Sequence, residues 1–154
     1  MKVYRITREK FATLSASGYS GRWNSEGIYV LYAAEHRSLA ILENIAHNPV
    51  IPILDQYVTM VIDIPDELSI QTLDINLLPK GWNKMDELAR GICQAVGDDF
   101  ITRNDAVVLR VPSAIVPQEW NMVINTAHPD FPRLSVAGIE PFEFDPRIAT
   151  RETD

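Results

Sequence analysis

The sequence has very little of several features that would assign a protein to a class. It contains one cysteine, Cys93, among 154 residues, so no internal disulfide can form and a reducing cytoplasm is the expected location. No apolar run approaches the roughly 20 residues that span a bilayer. The opening MKVYRITREK alternates and has no apolar signal core, so a secretory signal is not expected.

Positive charge is also scarce. The chain carries 14 Lys and Arg against 21 Asp and Glu, a formal net charge of −7. Nucleic-acid affinity depends on Lys and Arg that neutralise phosphates, so this chain alone is not expected to bind DNA or RNA. A small anionic ligand needs only one or two well-placed arginines and stays open, as does a basic protein partner.

Several catalytic motifs are missing as well. There is no Walker A loop and no G-x-G-x-x-G, which excludes the P-loop and Rossmann modes of nucleotide binding. Ser113 does not lie in a G-x-S-x-G elbow. His36, Glu43 and His47 share a helix stripe without H-E-x-x-H spacing, so no metal site is expected. Cys93 is interpreted as a packed helix residue rather than a nucleophile.

What is present is the pattern of one globular domain. Apolar residues make up 46% of the chain and charged residues 23%, as is usual for soluble proteins of this size. Strands are predicted at 3–7, 27–34, 56–65, 70–75, 105–112 and 142–148, and helices at 36–48 and 83–101. Pro49 and Pro52 should end the first helix, and Gly91 is a candidate break in the second. Without a regular βαβ repeat, this order favours the α+β class.

One segment, residues 21–48, keeps polar side chains close to hydrophobic surface. Arg22 follows a glycine-rich stretch, Tyr32 lies inside an apolar strand, and Glu43 borders the apolar face of a helix. Charges near a core are unfavourable unless they are paired or used. Either Arg22 pairs with a core carboxylate and stacks on Trp23, or the segment forms an anion-binding, charge-stabilising active site. Taken separately, Glu43 could be an exposed helix residue and Tyr32 a core residue.

Seven segments, in the same order, resemble the RES-domain family, which is named for its Arg, Glu and Ser. They are YRI at 4–6, GRWN at 21–24, VLYAAEHRSLAILE at 30–43, LPKGW at 78–82, VPSAIVPQEWN at 111–121, NTAHPDF at 125–131 and FEFDPRI at 142–148. Thr126 replaces a usual proline and Phe100 a common tryptophan, both outside the motif residues. The resemblance implies a single RES domain over residues 1–154.

The resemblance also implies a fold and a reaction. The fold would be ADP-ribosyltransferase-like, with a mixed, split β-sheet core around a cleft and helices outside. The protein would be a toxin of a type II toxin–antitoxin system that cleaves NAD⁺ between nicotinamide and ribose and arrests growth. Water or inorganic phosphate would accept the ADP-ribosyl group, and NAD⁺ would be a substrate rather than a cofactor.

The family's functional residues carry over onto seven positions. The motif residues are Arg22, Tyr32, Glu43 and Ser113, and Arg5, Asn24 and Asn125 match less diagnostic positions nearby. In the implied roles, Arg22 binds phosphate, Tyr32 stacks on nicotinamide or lines its pocket, and Glu43 stabilises the ribosyl cation. Ser113 would hold a ribose hydroxyl or orient Glu43.

A partner is implied too. The resemblance predicts a Xre-like DNA-binding antitoxin whose C-terminal region blocks the cleft, with DNA reached only through that partner, and a homodimer within the complex. Two alternatives stay open: a toxin that ADP-ribosylates a protein, and a catalytically silent antitoxin-binding module of a repressor complex. The intact Arg–Tyr–Glu–Ser set argues against the silent module.

Overall fold

The structure, a computed structural model, describes residues 1–48, 50–51, 55–145, 147–148 and 150–151. Its elements in chain order are β1 (Lys2–Arg8), β2 (Val30–Ala34), α1 (Arg37–His47), β3 (Val50–Ile51), β4 (Tyr57–Asp63), β5 (Ile70–Thr72), α2 (Glu87–Arg103), β6 (Val108–Pro112), β7 (Trp120–Asn125), β8 (Ser135–Phe142) and β9 (Thr150–Arg151).

Seven strands form one mixed sheet in the order β5-β6-β7-β2-β1-β4-β8. β5 and β6 are parallel and the other neighbours are antiparallel. Where β1 meets β2, however, only one pair forms, Tyr4 with Ala34, whereas β1 pairs with β4 along its whole length. The sheet is therefore split into a four-stranded and a three-stranded half, and the prediction of an α+β fold with a mixed, split sheet is confirmed.

Helix α1 packs beside this split, against β1 and β2. Leu39 and Ala40 are its buried residues, and they join Ile6 and Ala34 in one hydrophobic cluster. The apolar spacing of the helix therefore attaches it to both halves of the sheet. Its predicted bounds are confirmed within one residue at each end, while Pro49 and the other predicted helix-ending proline lie outside the described residues.

Helix α2 begins four residues later than predicted because Asp86 is its N-cap. The Asp86 carboxylate accepts a hydrogen bond from the backbone N–H of Ala89 at 2.8 Å. The helix then runs through Gly91 to Arg103 without a break, so the candidate interruption at Gly91 is wrong. Neither helix of the described chain is long and apolar enough to cross a membrane.

The strand predictions miss β7 and most of β8, as well as the two-residue strands β3 and β9. β7 is buried at four consecutive positions from Met122 to Asn125, because it is central in the sheet and covered on both faces. β8 is an edge strand, mostly exposed, that contains Gly138 and Pro141. The strand predicted at 142–148 is wrong: only Phe142 belongs to a strand, residues 143–145 and 147–148 do not, and residue 146 lies outside the described residues.

Candidate active site

The split in the sheet opens into a cleft of about 280 Å³. Its walls come from β1, β2, α1, the start of β7, the loop before β2 and the loop after β6. Four of the seven predicted site residues line it: Arg5, Arg22, Tyr32 and Glu43. Residues that are distant in sequence therefore meet where the two halves of the sheet diverge.

Glu43 is held from behind by two side-chain donors. Its Oε1 accepts hydrogen bonds from Ser113 Oγ at 2.8 Å and from Asn121 Nδ2 at 2.5 Å. Among the described residues, no donor reaches the other oxygen, Oε2. The carboxylate is thus fixed through one oxygen and lines the cleft.

Ser113 has only one way to use its proton. The side chain is completely buried, and its Oγ accepts from the backbone N–H groups of Ile115 and Val116 at 3.1 and 3.0 Å. A hydroxyl has two acceptor lone pairs and one donor hydrogen, so the hydrogen points to Glu43. Of its two predicted roles, this geometry supports orienting Glu43.

Asn121 was missed by the sequence analysis. It lies within the family-like segment 111–121, but strand β7 was not predicted there. In the sheet it pairs with Ala34 of β2 and Val111 of β6, which places it at the split. The only sequence signal that could have indicated Asn121 was its place in the segment 111–121. That its side chain faces Glu43 follows only from the register of β7 in the sheet.

Arg22 points its guanidinium at a loop. Nη1 donates to the carbonyls of Trp82 and Lys84 at 3.1 and 3.2 Å, and Nη2 contacts the Lys84 carbonyl and the Met85 sulfur at 3.3 and 3.5 Å. None of the ion pairs in the described part of the chain includes Arg22. The Trp23 ring packs against Trp82 in a tilted arrangement, with ring centroids 5.9 Å apart. The alternative of a core salt bridge with stacking on Trp23 is therefore not what the fold builds.

The loop that carries Arg22 is fixed by α2. The Asp98 carboxylate accepts from the backbone N–H and the hydroxyl of Ser25 at 2.9 and 2.6 Å. A Cβ atom at Gly97 would lie 1.7 Å from the carbonyl oxygen of Trp23. Only glycine at that helix position lets α2 approach residues 21–25 this closely.

Tyr32 lines the cleft as a neutral phenol whose hydroxyl both accepts and donates a hydrogen bond. Its hydroxyl accepts from the backbone N–H of Trp23 at 3.0 Å and donates to Asn24 Oδ1 at 2.7 Å. Burial raises the pKa of the Tyr32 phenol far above its ordinary value, so the group cannot serve as a base at neutral pH. Asn24 is itself buried and donates to three carbonyls of its loop. It lies behind the cleft and positions Tyr32.

Arg5 carries positive charge that no described carboxylate neutralises. It projects from β1 into the cleft wall, and its buried Nη1 has no hydrogen-bond partner among the described residues. Burial lowers the pKa of the Arg5 guanidinium. Because an unpaired charge in a low-dielectric setting is unfavourable, this position favours binding of an anion.

Asn125 lies away from the cleft. It pairs with Val30 at the far end of β7, four residues or about 13 Å of extended chain beyond Asn121. Its amide donates to Asn104 Oδ1 at 2.8 Å and accepts from the backbone N–H of Ala127 at 3.0 Å. These contacts stabilise the turn after β7, and the structure does not bring Asn125 together with the other predicted site residues.

The helix stripe that was considered for a metal has other contacts. His47 Nδ1 lies 2.8 Å from the backbone carbonyl of Glu43, and His36 Nδ1 lies 3.5 Å from a Glu119 oxygen. In the part of the chain that the structure describes, no three His, Cys, Asp or Glu side chains are grouped for metal binding.

Comparisons with known proteins agree on one group of relatives. A family model described as RES domain matches residues 2–145. The chain is 35% identical over 136 residues to a protein named Toxin Res from Photorhabdus laumondii, covering 85% of each chain. It is 36% identical over 132 residues to the Prs ADP-ribosylating toxin of a Sphingobium species, covering 83% of this chain and 80% of that protein. A chain of the M. tuberculosis MbcT–MbcA toxin–antitoxin complex has the same fold, with a TM-score of 0.64 at 19% identity over 92% of this chain and 81% of the other.

Proposed function

The chain belongs to the RES-domain family, and from this membership we propose that it is the toxin of a toxin–antitoxin pair that breaks the nicotinamide–ribose bond of NAD⁺. The observation that carries the proposal is the composition of one cleft. Glu43, Arg5 and Arg22 line the same cleft. Among the described residues, Glu43 Oε2 receives no donor, and neither arginine has a carboxylate partner. Such a site is complementary to a ligand that is anionic at one part and becomes cationic at another.

The reaction assigns a role to each charge. When nicotinamide leaves, it takes the electron pair of the C1′–N bond, and positive charge spreads over C1′ and the ribose ring oxygen. A fixed carboxylate beside that charge stabilises the transition state more than the ground state. Glycoside hydrolysis uses the same pairing of a carboxylate with an oxocarbenium-like state. Glu43 is the residue for this role, and water or inorganic phosphate would then attack C1′.

The arginines fit the other part of the dinucleotide. The two phosphates of NAD⁺ are negative, and arginine binds phosphate oxygens through a planar fork. Arg5 lines the cleft and its side chain makes no hydrogen bond or ion pair among the described residues, whereas Arg22 donates most of its N–H groups to the loop at 82–85. We assign the main phosphate contact to Arg5 and the placement of the adjoining loop to Arg22. Tyr32 lines the nicotinamide pocket.

The proposed partner is an antitoxin. A structural neighbour was solved as a toxin–antitoxin complex, and the net charge of −7 disfavours direct contact with DNA. A Xre-like antitoxin that covers the cleft and connects the toxin to DNA is consistent with both observations. A homodimer within that complex belongs to the same proposal.

One observation favours a second candidate function. A relative of 36% identity is named an ADP-ribosylating toxin, and the same bond is broken when a protein side chain accepts the ADP-ribosyl group. Glu43 would stabilise the same cation in that reaction. The candidates differ only in the acceptor, since the first transfers ADP-ribose to water or phosphate.

Product identification tests the proposal. The purified protein is incubated with NAD⁺ alone, with phosphate, and with a bacterial protein extract. Free nicotinamide with ADP-ribose or its 1″-phosphate is the expected result, and Glu43→Gln should abolish it. If proteins of the extract become ADP-ribosylated while the reactions without extract release no nicotinamide, the second candidate is favoured. No nicotinamide release under any condition, with the protein folded, would reject both and favour the silent binding module.

A further inference from the structure

We propose that Asn121 is a positioning residue that holds the Glu43 carboxylate in its reactive orientation. The inference rests on the proposed function, because it concerns how the carboxylate of that site is held. Asn121 Nδ2 donates a hydrogen bond to Glu43 Oε1 at 2.5 Å. Asn121 is not among the site residues predicted from the sequence.

The two donors of Glu43 come from different elements. Ser113 follows β6 and is fixed by the backbone of its own turn. Asn121 lies near the start of β7, with strands β6 and β2 paired to it on either side. One hydrogen bond would allow the carboxylate to turn about that contact, whereas two donors from separate, rigid elements define its plane.

Both donors bind the same oxygen. Oε1 receives Ser113 and Asn121, and Oε2 receives no donor among the described residues. The arrangement therefore keeps one oxygen as an anchor and leaves the other for the developing cation. Electrostatic stabilisation is most effective when the charged group does not have to reorient during the reaction. Asn121 contributes by removing that reorientation.

A purely structural role for Asn121 predicts something else. If the amide only fills space beside the split, its loss should lower the stability of the fold and affect substrate binding and turnover together. If it positions Glu43, its loss should lower kcat with little change in KM or in thermal stability. Reading kcat and KM separately on one folded variant distinguishes the two.

Two substitutions and a control make this test. Asn121→Leu keeps the size and removes the donor, and we expect kcat for NAD⁺ cleavage to fall about 10- to 100-fold, the effect of one charge-assisted hydrogen bond, with KM within about threefold. Met122→Leu is the control, because Met122 is the next residue of β7, packs in the core and does not line the cleft. It should leave kcat within about twofold, since volume-conserving core changes are well tolerated.

Asn121→Asp adds a pH readout that packing alone would not give. Two carboxylates in contact raise the pKa of one of them, so the pair keeps one proton to a higher pH than an isolated carboxyl would. The shared proton restores a donor to Oε1, so this variant should be most active where one proton is bound. We expect its kcat to fall as the pH rises and that proton is lost, because the two charges then repel.

Failure of the inference and failure of the proposed function give different results. Growth arrest on expression is scored beside NAD⁺ cleavage, at matched protein levels. If the wild type arrests growth without cleaving NAD⁺, the proposed substrate is wrong, while weaker arrest by Asn121→Leu than by Met122→Leu still supports the positioning role. Asn121→Leu with wild-type kcat and wild-type arrest overturns the role, as does Asn121→Asp with wild-type kcat at every pH tested. A wild type inactive in both assays overturns both proposals.

Discussion

The anionic and cationic sides of the cleft are built in opposite ways. On one side, Glu43 receives two donors on a single oxygen, both from residues behind the cleft wall. On the other, Arg5 has a buried nitrogen without a partner, and Arg22 reaches only backbone carbonyls and a thioether. The negative group is positioned in advance, whereas the positive groups have no counter-charge among the described residues.

This difference indicates what a ligand would supply. A chain with seven excess negative charges has carboxylates available to pair with its arginines, and several exposed arginines here do form ion pairs. The cleft arginines do not. An anionic ligand would complete the cationic side, while the carboxylate needs a ligand that becomes positive only during the reaction.

The largest expected effect comes from removing the negative charge. Glu43→Gln keeps the size of the side chain and an oxygen that can still face Ser113 and Asn121, so the fold should survive. Turnover should fall by roughly 10²–10³, as for loss of one electrostatic stabiliser, while NAD⁺ affinity changes little. Kinetics, binding and melting temperature are measured on the same preparation.

The opposite pattern would break the comparison. If Glu43→Gln lowers melting temperature and NAD⁺ affinity together while its folded fraction keeps full activity, Glu43 is part of the scaffold. Binding of the antitoxin should persist in the variant, which provides an independent check that the surface is intact.

The next largest effect concerns the unpartnered arginine. Arg5→Gln removes the charge on β1, and NAD⁺ affinity should fall by about one to two factors of ten, the range for a charge-assisted hydrogen bond. Because the buried charge has no described partner, the variant should be at least as stable as the wild type. Calorimetric binding of ADP-ribose, which retains both phosphates, measures the change without turnover. Unchanged affinity would remove Arg5 from the phosphate role.

A smaller loss of affinity is expected at the second arginine. Arg22→Ala should weaken ADP-ribose binding by about three- to tenfold, because most of its N–H groups already contact the loop and only the remaining charge acts on the ligand. The same change should loosen residues 82–85, so trypsin should cleave after Lys84 faster than in the wild type. Affinity loss equal to that of Arg5→Gln, with unchanged cleavage, would assign Arg22 to direct phosphate binding instead.

The sequence predicted the parts of this cleft that are local. The apolar spacing of α1 places Glu43 at the border of its buried face, and the strand pattern around Tyr32 is confirmed as β2. Arg22 and Tyr32 are close in sequence and meet across one short loop, so their proximity could be expected. The family-like segments added Ser113, which has no local signal of its own.

The rest depends on tertiary pairing. Asn121 reaches Glu43 only because β7 pairs with β2, and β7 shows no alternation that would reveal it as a strand. The isolation of Arg5 is also a property of the assembled fold, since no pattern in the sequence tells which arginines lack a carboxylate. Asn125 shows the converse, because a family-like position places it on the same strand as Asn121 but at its other end.

The last expected effect concerns the stability of the fold rather than ligand affinity, at Tyr32, the neutral residue beside the arginines. Tyr32→Phe removes a hydroxyl that bonds the Trp23 N–H and Asn24 Oδ1, leaving two polar groups without that partner, so the free energy of unfolding should fall by about 1–3 kcal/mol at pH 7.

The pH dependence of this loss of stability has a definite sign. Burial raises the pKa of the folded Tyr32 phenol, while the unfolded chain ionises near pH 10. The stabilising contribution of the group is therefore complete below about pH 10 and is lost as the pH rises toward the folded pKa, by at most about 1.4 kcal/mol per pH unit. Denaturant unfolding of both proteins at about pH 7, 10 and 11 should show the stability gap narrowing only above pH 10. A gap that widens between pH 7 and pH 10 would mean that the Tyr32 hydroxyl ionises more readily in the folded cleft than in the unfolded chain, and Tyr32 would then count as a charged group beside the arginines rather than a neutral wall.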